Sequence, residues 1–342
     1  MRSQKLVKLA KFVVKKVIRG LEEINLCFRR NRMILDVVLI ILGVAMVLKG
    51  ADYLTEGAAA AARRLHIPEM IIGLTIVAAG TSAPELFVSV VSALKGTADM
   101  AVGNVVGSNI MNTMLIVGVA AMVAPMTISK ATVKKDLPFT VAASMLLLFL
   151  AFDHFLGHAS GFMMLAGFAL FMAYSIYTAS RSTEPDKESG EESLTVLRST
   201  CYVVGGLLLL VVGSNIFVDH ATLLALSMGI SEGVVGLTVV AGGTSLPELA
   251  TTVVAARKGQ SALAIGNVIG SNVFNILLIL GLTAAIHPLE IEGITTIDMA
   301  VMLLSVAFVW IFAFTRFKVE RWEGFVLLAG YLAYLIWLII SL

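Results

Sequence analysis

The chain has 342 residues, 58% of them apolar and only 14% charged, with a formal net charge of +2 and a mean hydropathy of +0.93. Soluble domains carry about 25% charged residues, so this composition excludes a water-soluble globular protein and the nucleic-acid binders that depend on large basic surfaces. Apolar runs recur at the length of about 20 residues that a helix needs to cross a hydrocarbon layer, and runs such as Met145–Phe152 do not alternate as barrel strands would.

The first 32 residues carry ten Lys and Arg, from Arg2 to Arg32, with Leu6, Leu9, Val13, Val17 and Leu21 at helical spacing. That pattern predicts a basic amphipathic tail lying on a membrane surface. Lys11, Lys15 and Lys16 interrupt any apolar stretch of the kind a cleavable signal requires. Ten spans follow, near 33–53, 67–94, 99–124, 137–153, 159–179, 199–219, 231–256, 261–286, 294–314 and 324–341. Only Arg181–Thr200 interrupts them with a sizeable polar stretch, so residues 181–198 read as a solvated linker between a first five-helix half, 33–180, and a second, 199–342.

The halves repeat each other at a constant offset of 163 residues. Gly73-Leu74-Thr75 recurs as Gly236-Leu237-Thr238, and Gly80-Thr81-Ser82-Ala83-Pro84-Glu85-Leu86 as Gly243-Thr244-Ser245-Leu246-Pro247-Glu248-Leu249. Gly103 to Asn109 (GNVVGSN) recurs as Gly266 to Asn272 (GNVIGSN). Five spans per half is an odd number, so the second copy enters the membrane from the opposite side. The predicted fold is an all-α polytopic membrane protein of ten transmembrane helices in two inverted-topology repeats, a ground plan of secondary transporters with a site at the bilayer midplane. The loop charges agree: with the body starting outside, Lys49, Arg63, Arg64, Lys130, Lys134, Lys135, Arg257, Lys258, Arg316 and their like fall inside, and only Lys95 outside. The same rule would place the basic tail inside, so its side is left open.

Glu85 and Glu248 fall within the second and seventh spans, where a charge costs about 3 kcal/mol at a helix centre and needs a partner. Neither span offers a buried base, so the pair reads as a cation site. Pro84 and Pro247 break the helix beside them and displace the carbonyls of Gly80 and Gly243, supplying the oxygen ligands that hard cations prefer. Ser108 with Asn112, and Ser271 with Asn275, stack on one face of the third and eighth spans as further oxygen donors. Asn104, Asn109, Asn267 and Asn272 fit either ligation or packing, and Gly103, Gly107, Gly266 and Gly270 fit close helix packing.

Asp36, Asp52, Glu69, Glu232 and Asp298 are expected at span ends with solvent or interfacial partners, and His66, His154, His158, His220 and His287 in or beside loops. Cys27 and Cys201 read as ordinary small apolar residues, forming neither a disulfide nor a zinc site. No metalloprotease spacing appears, so an intramembrane hydrolase is not expected.

The duplicated GTSAPEL and GTSLPEL motifs, each followed by its GN-x-x-GSN run, resemble the calcium/cation antiporter superfamily, and within it the prokaryotic sodium/calcium exchangers, over everything after the basic tail. The resemblance implies ten helices, alternating access and exchange of three sodium ions for one calcium ion, with no resident cofactor, no nucleic acid and no required protein partner, in the inner membrane of the cell. It assigns calcium to Glu85 and Glu248 and to the carbonyls of Thr81 and Thr244. It assigns sodium to the same glutamates with Ser82, Ser245, Ser108, Ser271 and the carbonyls of Ala78 and Ala241, and it places Asn112 and Asn275 in the same cavity. Asn275 stands where several relatives, among them potassium-dependent ones, have aspartate, which argues against potassium coupling and removes a protonation site. The large calcium-sensing domains of animal exchangers are not expected. Rival readings are a proton-coupled divalent exchanger of the same fold, against which the serines beside the glutamates argue, a passive cation channel, and a non-transporting scaffold.

Overall fold

A chain that cannot hydrogen-bond to water must satisfy its backbone within its own helices, and almost every described residue here lies in one. The computed structural model describes the backbone over residues 2–181, 194–229 and 241–341, and side chains over 33–178, 194–229 and 242–340. Glu232, the Gly236-Leu237-Thr238 repeat, the start of the seventh span, most of the linker, the side chains of the tail with Cys27, and the Ala241 side chain lie outside the described residues.

The helices are α1 (Arg2–Leu65), α2 (Glu69–Thr81), α3 (Ala83–Leu94), α4 (Ala98–Val123), α5 (Leu137–Leu150), α6 (His158–Arg181), α7 (Val196–Ser227), α8 (Ala241–Thr244), α9 (Leu246–Arg257), α10 (Ser261–Ile286), α11 (Thr296–Arg316) and α12 (Arg321–Ser341). Among the described residues, seven stretches are long and apolar enough to cross a membrane, and α2 with α3 forms an eighth, bent by 47°. The 14-residue α5 falls short alone and is preceded by a π-helical turn, Thr132–Asp136, that carries Lys134 and Lys135.

Two predicted boundaries move. The first span was expected to end near residue 53, but α1 runs on to Leu65, because Ala58, Ala59, Ala60 and Ala62 are strong helix formers and are fully buried there. The sixth was expected over 199–219, and α7 extends to Ser227. Asp36, well inside α1 because that helix begins at Arg2, and His220, inside the extended α7, were expected near solvated ends and instead pair with each other at 2.8 Å. Asp298 is likewise buried, its carboxylate closing a capping box with Thr295 and accepting the Tyr334 hydroxyl at 2.8 Å. Cys201 is exposed, on a helix whose outer face meets lipid.

The helices sort into a centre and a rim. The apolar windows of α4 and α10 are 72% and 78% buried, whereas those of α1, α6, α7, α11 and α12 are between 17% and 39% buried. Phe149, Phe152 and Ile340 stand on the rim with most of their surface exposed, which a bilayer tolerates and water does not.

The two halves meet through symmetric contacts. α1 and α7 pack along each other on a glycine seam: a Cβ on Gly43 would lie 2.7 Å from the Gly213 carbonyl, and one on Gly50 2.8 Å from that of Gly206. Gly206 and Gly213 are the repeat copies of Gly43 and Gly50, so the seam maps onto itself when the halves are exchanged. Two short antiparallel ladders do the same. β1 (Met126–Thr127) pairs with β4 (Lys318–Val319), and β2 (Phe155–Leu156) with β3 (Leu289–Glu290). Each joins a loop of one half to a loop of the other.

Candidate cation site

The chain breaks between α2 and α3 at Ser82 (φ −83°, ψ 7°) and between α8 and α9 at Ser245 (φ −91°, ψ 7°). Pro84 and Pro247 then fall in the first turn of α3 and α9, where a missing N–H costs nothing. Glu85 and Glu248 follow in the same turns, each 1% exposed, and the positive end of a helix favours a carboxylate there.

Each broken segment reaches across to the other half. The Ser82 hydroxyl donates to Glu248 Oε1 at 3.0 Å, and the Ser245 hydroxyl donates to Glu85 Oε1 at 3.2 Å. Ser245 also lies 3.2 Å from the Ser108 hydroxyl. In α4 and α10 the helix widens into π turns at Met111–Ile116 and Phe274–Leu280, which carry Asn112 and Asn275; such turns often mark functional positions. Asn112 Nδ2 donates to Asn272 Oδ1 at 3.1 Å, and Asn275 Nδ2 to Asn109 Oδ1 at 3.2 Å. The serine–glutamate and asparagine–asparagine pairs map onto each other under exchange of the halves, whereas the Ser245–Ser108 contact has no copy, Ser271 Oγ being buried without a hydrogen-bond partner.

What remains unpaired is informative. Glu85 Oε2, Glu248 Oε2, Asn112 Oδ1 and Asn275 Oδ1 are buried without a hydrogen-bond donor. Four oxygen acceptors left without donors in a water-excluded centre are costly, and a hard cation that takes carboxylate and amide oxygens would satisfy them. Ser271 is fully buried beside them on α10. Among the described residues no cluster of three or more His, Cys, Asp or Glu could hold a metal, so the donor set is two carboxylates filled out by amide, hydroxyl and carbonyl oxygens. That set suits calcium or sodium and not a thiolate- or imidazole-seeking metal.

The profile of the family described as sodium/calcium exchanger protein matches residues 35–182 and 198–340. The chain belongs to the sodium/calcium exchanger family. Members of this family are transporters, not enzymes. The chain is 34% identical over 345 residues to the sodium/calcium exchanger MaX1 of Methanosarcina acetivorans, covering 87% of this chain and 97% of that protein. It is 36% identical over 313 residues to the inner membrane protein YrbG of Escherichia coli, covering 89% and 96%. Its fold matches the structure of the sodium-calcium exchanger NCX_Mj soaked with zero sodium and calcium at a TM-score of 0.80 and 29% identity, covering 90% of this chain and 99% of that one.

The geometry of this family member also separates residues that the sequence left together. Asn104 and Asn267 serve as braces: Asn104 Nδ2 donates to the Glu85 carbonyl at 3.2 Å and to Ser89 at 3.0 Å, and Asn267 Nδ2 to the Glu248 carbonyl at 3.5 Å and to Thr252 at 3.0 Å. Thr81 lies at the break, its hydroxyl donating to Asn267 Oδ1 at 3.2 Å. Thr244 occupies the matching place at the end of α8. The Ala78 carbonyl already accepts from the Ser82 N–H at 2.9 Å, and Ala241 opens α8. Gly266 and Gly270 serve packing as expected, with the Met70 and Leu74 carbonyls of α2 at 2.6 and 2.7 Å from an added Cβ.

One contact departs from expectation. The Gly243 carbonyl, freed by Pro247, accepts the Ser214 hydroxyl of α7 at 2.6 Å. Ser214 carries no repeat signal, because its copy in the first half is Ala51.

Proposed function

We propose that this chain is a secondary active antiporter that exchanges sodium for calcium by alternating access, using one site between two inverted five-span halves, 33–180 and 199–342. The observation that carries the reading is the crossed pair of buried glutamates, each held by the other half's serine and each keeping one oxygen aimed at no donor. Ten spans follow if α5 with its π turn, and α9 with the segment before it, complete the count begun by the eight stretches above. The polar linker 181–198 and the basic tail 1–32 stand outside that frame.

In this reading Glu85 and Glu248 neutralise one calcium ion, assisted by the carbonyls of Thr81 and Thr244. Sodium ions share the glutamates and add Ser82, Ser245, Ser108, Ser271 and the carbonyls of Ala78 and Ala241, while Asn112 and Asn275 complete the cavity wall. Because both ions need the same carboxylates, occupancy by one excludes the other, and that exclusion couples the fluxes. Three sodium ions per calcium would carry one net charge per cycle, worth about 2.3 kcal/mol per 100 mV, so inward sodium would drive calcium out across the inner membrane. The ions are cargo, and the exchange calls for no resident cofactor. Kinship with MaX1, named as a sodium/calcium exchanger, supports the choice of ions.

The test is calcium-45 uptake into sodium-loaded proteoliposomes diluted into sodium-free medium, beside choline-loaded vesicles and vesicles with an imposed pH gradient. Uptake that requires internal sodium supports the exchange. Uptake driven by the pH gradient alone, or indifferent to both gradients, would replace it with proton coupling or a channel.

A further inference from the structure

In an inverted repeat the two access states are related by exchanging the conformations of the halves. If the halves were identical in sequence, the two states would have equal free energy. Any bias must come from contacts that form in only one state between residues the repeat does not preserve.

The packing of the rim helices is unequal in this structure. α1 packs along α9, whereas the exchanged pair, α7 and α3, makes no comparable contact among the described residues. At the unequal contact Lys258, which caps α9, forms an ion pair with the Asp52 carboxylate of α1. Its Nζ also donates to the Asp52 carbonyl at 3.0 Å and to the Thr55 hydroxyl at 3.1 Å. Lys49 holds the other Asp52 oxygen at 3.1 Å. Lys258 and Asp52 come from different halves. Their copies are Lys95, which caps α3, and Asn215 on α7, while Val218 stands in for Thr55. The lysine is preserved and both of its acceptors are lost; Lys95 is exposed and makes no ion pair among the described residues. Two further bridges on this face, Arg63 to Glu69 at 3.8 Å and Arg316 to Glu320 at 3.2 Å, each lie within one half and leave the comparison unchanged.

We infer that the Lys258–Asp52 contact is a one-sided latch that holds the lysine- and arginine-rich face closed and biases the protein toward the state seen here. The inference rests on the alternating-access reading above. In the opposite state α7 would close on α3 as α1 now closes on α9, and Lys95 would meet Asn215, a neutral amide, where Lys258 now meets a carboxylate.

The experiment measures the apparent calcium affinity at each face separately, with the full chain in proteoliposomes of single orientation, for wild type, Asp52→Asn, Asn215→Asp, Lys95→Gln and the Asn215→Asp/Lys95→Gln double variant. A partly exposed ion pair and the population it controls correspond to a shift of up to about five-fold. Asp52→Asn should raise the ratio of affinity at the basic face to that at the opposite face by that order. Asn215→Asp installs the missing partner on the other side and should shift the ratio in the same direction. Lys95→Gln should leave wild type unmoved and cancel the Asn215→Asp effect. An exchanging wild type whose ratio moves with neither Asp52→Asn nor Asn215→Asp overturns the latch, as does an Asn215→Asp effect that survives Lys95→Gln. A wild type with no coupled exchange removes the transport reading, and the latch with it.

Discussion

The two halves agree at the centre and differ at the rim. Around the glutamates the cross-half bonds to the carboxylates and between the amides have their copies: Ser82 to Glu248 and Ser245 to Glu85, Asn112 to Asn272 and Asn275 to Asn109. Where α1 and α7 lie against the other helices, Asp52 becomes Asn215, Thr55 becomes Val218 and Ala51 becomes Ser214. In the proposed alternating-access reading, a site that presents the same ligands to both sides is constrained to remain symmetric, while the surfaces that would open and close around it are free to diverge and so to make the two states unequal.

The sharpest way to break the central symmetry is to neutralise one carboxylate. Glu85→Gln and Glu248→Gln preserve shape while removing half of the charge that balances a divalent ion, so each should abolish sodium-dependent calcium-45 uptake to the level of empty vesicles. Near-equal losses are expected because the two positions are equivalent; a variant that kept most of the activity would take its glutamate out of the site.

The next largest effect lies on the seam between α1 and α7. Gly50→Ala puts a methyl 2.8 Å from the Gly206 carbonyl and the Leu210 nitrogen, both backbone atoms that cannot turn aside. Overpacking of that kind costs about 1–3 kcal/mol, read as a lowered unfolding temperature in detergent. Gly205→Ala on α7, next to Gly206, has open space around it and should leave the temperature unchanged.

The duplicated motifs made the glutamates and the helix breaks legible in the sequence, because proline and an intramembrane carboxylate each carry a strong local cost; that each serine reaches the other half's glutamate was not legible there. The glycines of the seam, Gly43 and Gly50, recur at the same offset but stand outside the motifs, so their pairing became visible only in the structure. Nor could pairing between unrepeated residues be read. Ser214 on Gly243, Lys258 on Asp52 and His220 on Asp36 depend on how far α1 and α7 slide along each other, and hydropathy does not encode that register. The asparagines were ambiguous for a related reason: Asn104 and Asn112 share a residue type, and only the π turn that carries Asn112 distinguishes a brace from a side chain with a free oxygen.

A smaller effect is expected one step out from the carboxylates. Ser82→Ala and Ser245→Ala remove the hydroxyls that orient Glu248 and Glu85. Groups that orient metal ligands contribute about 10–100-fold in affinity, and the lower end of that range is the expected loss of apparent calcium affinity here, about ten-fold for each. The two variants should match, and a large inequality between them would mean that the serines hold their glutamates unequally, contrary to the mirrored distances.

The smallest effect tests where that symmetry ends. Ser214→Ala leaves the buried Gly243 carbonyl without its hydroxyl donor, a loss of about 1 kcal/mol, measurable as a modest fall in unfolding temperature. Ala51→Ser offers the first half the equivalent donor for the Gly80 carbonyl. α7 lies close to both breaks, since a Cβ added at Gly80 would meet Leu207 and one added at Gly243 would meet Val218, both on α7; a hydroxyl added on α1 is therefore expected to find no Gly80 carbonyl, and stability does not rise. A gain from Ala51→Ser equal to the loss from Ser214→Ala would instead mean that α1 and α7 sit at equivalent heights over the two breaks, and the rim would then be as symmetric as the site it encloses.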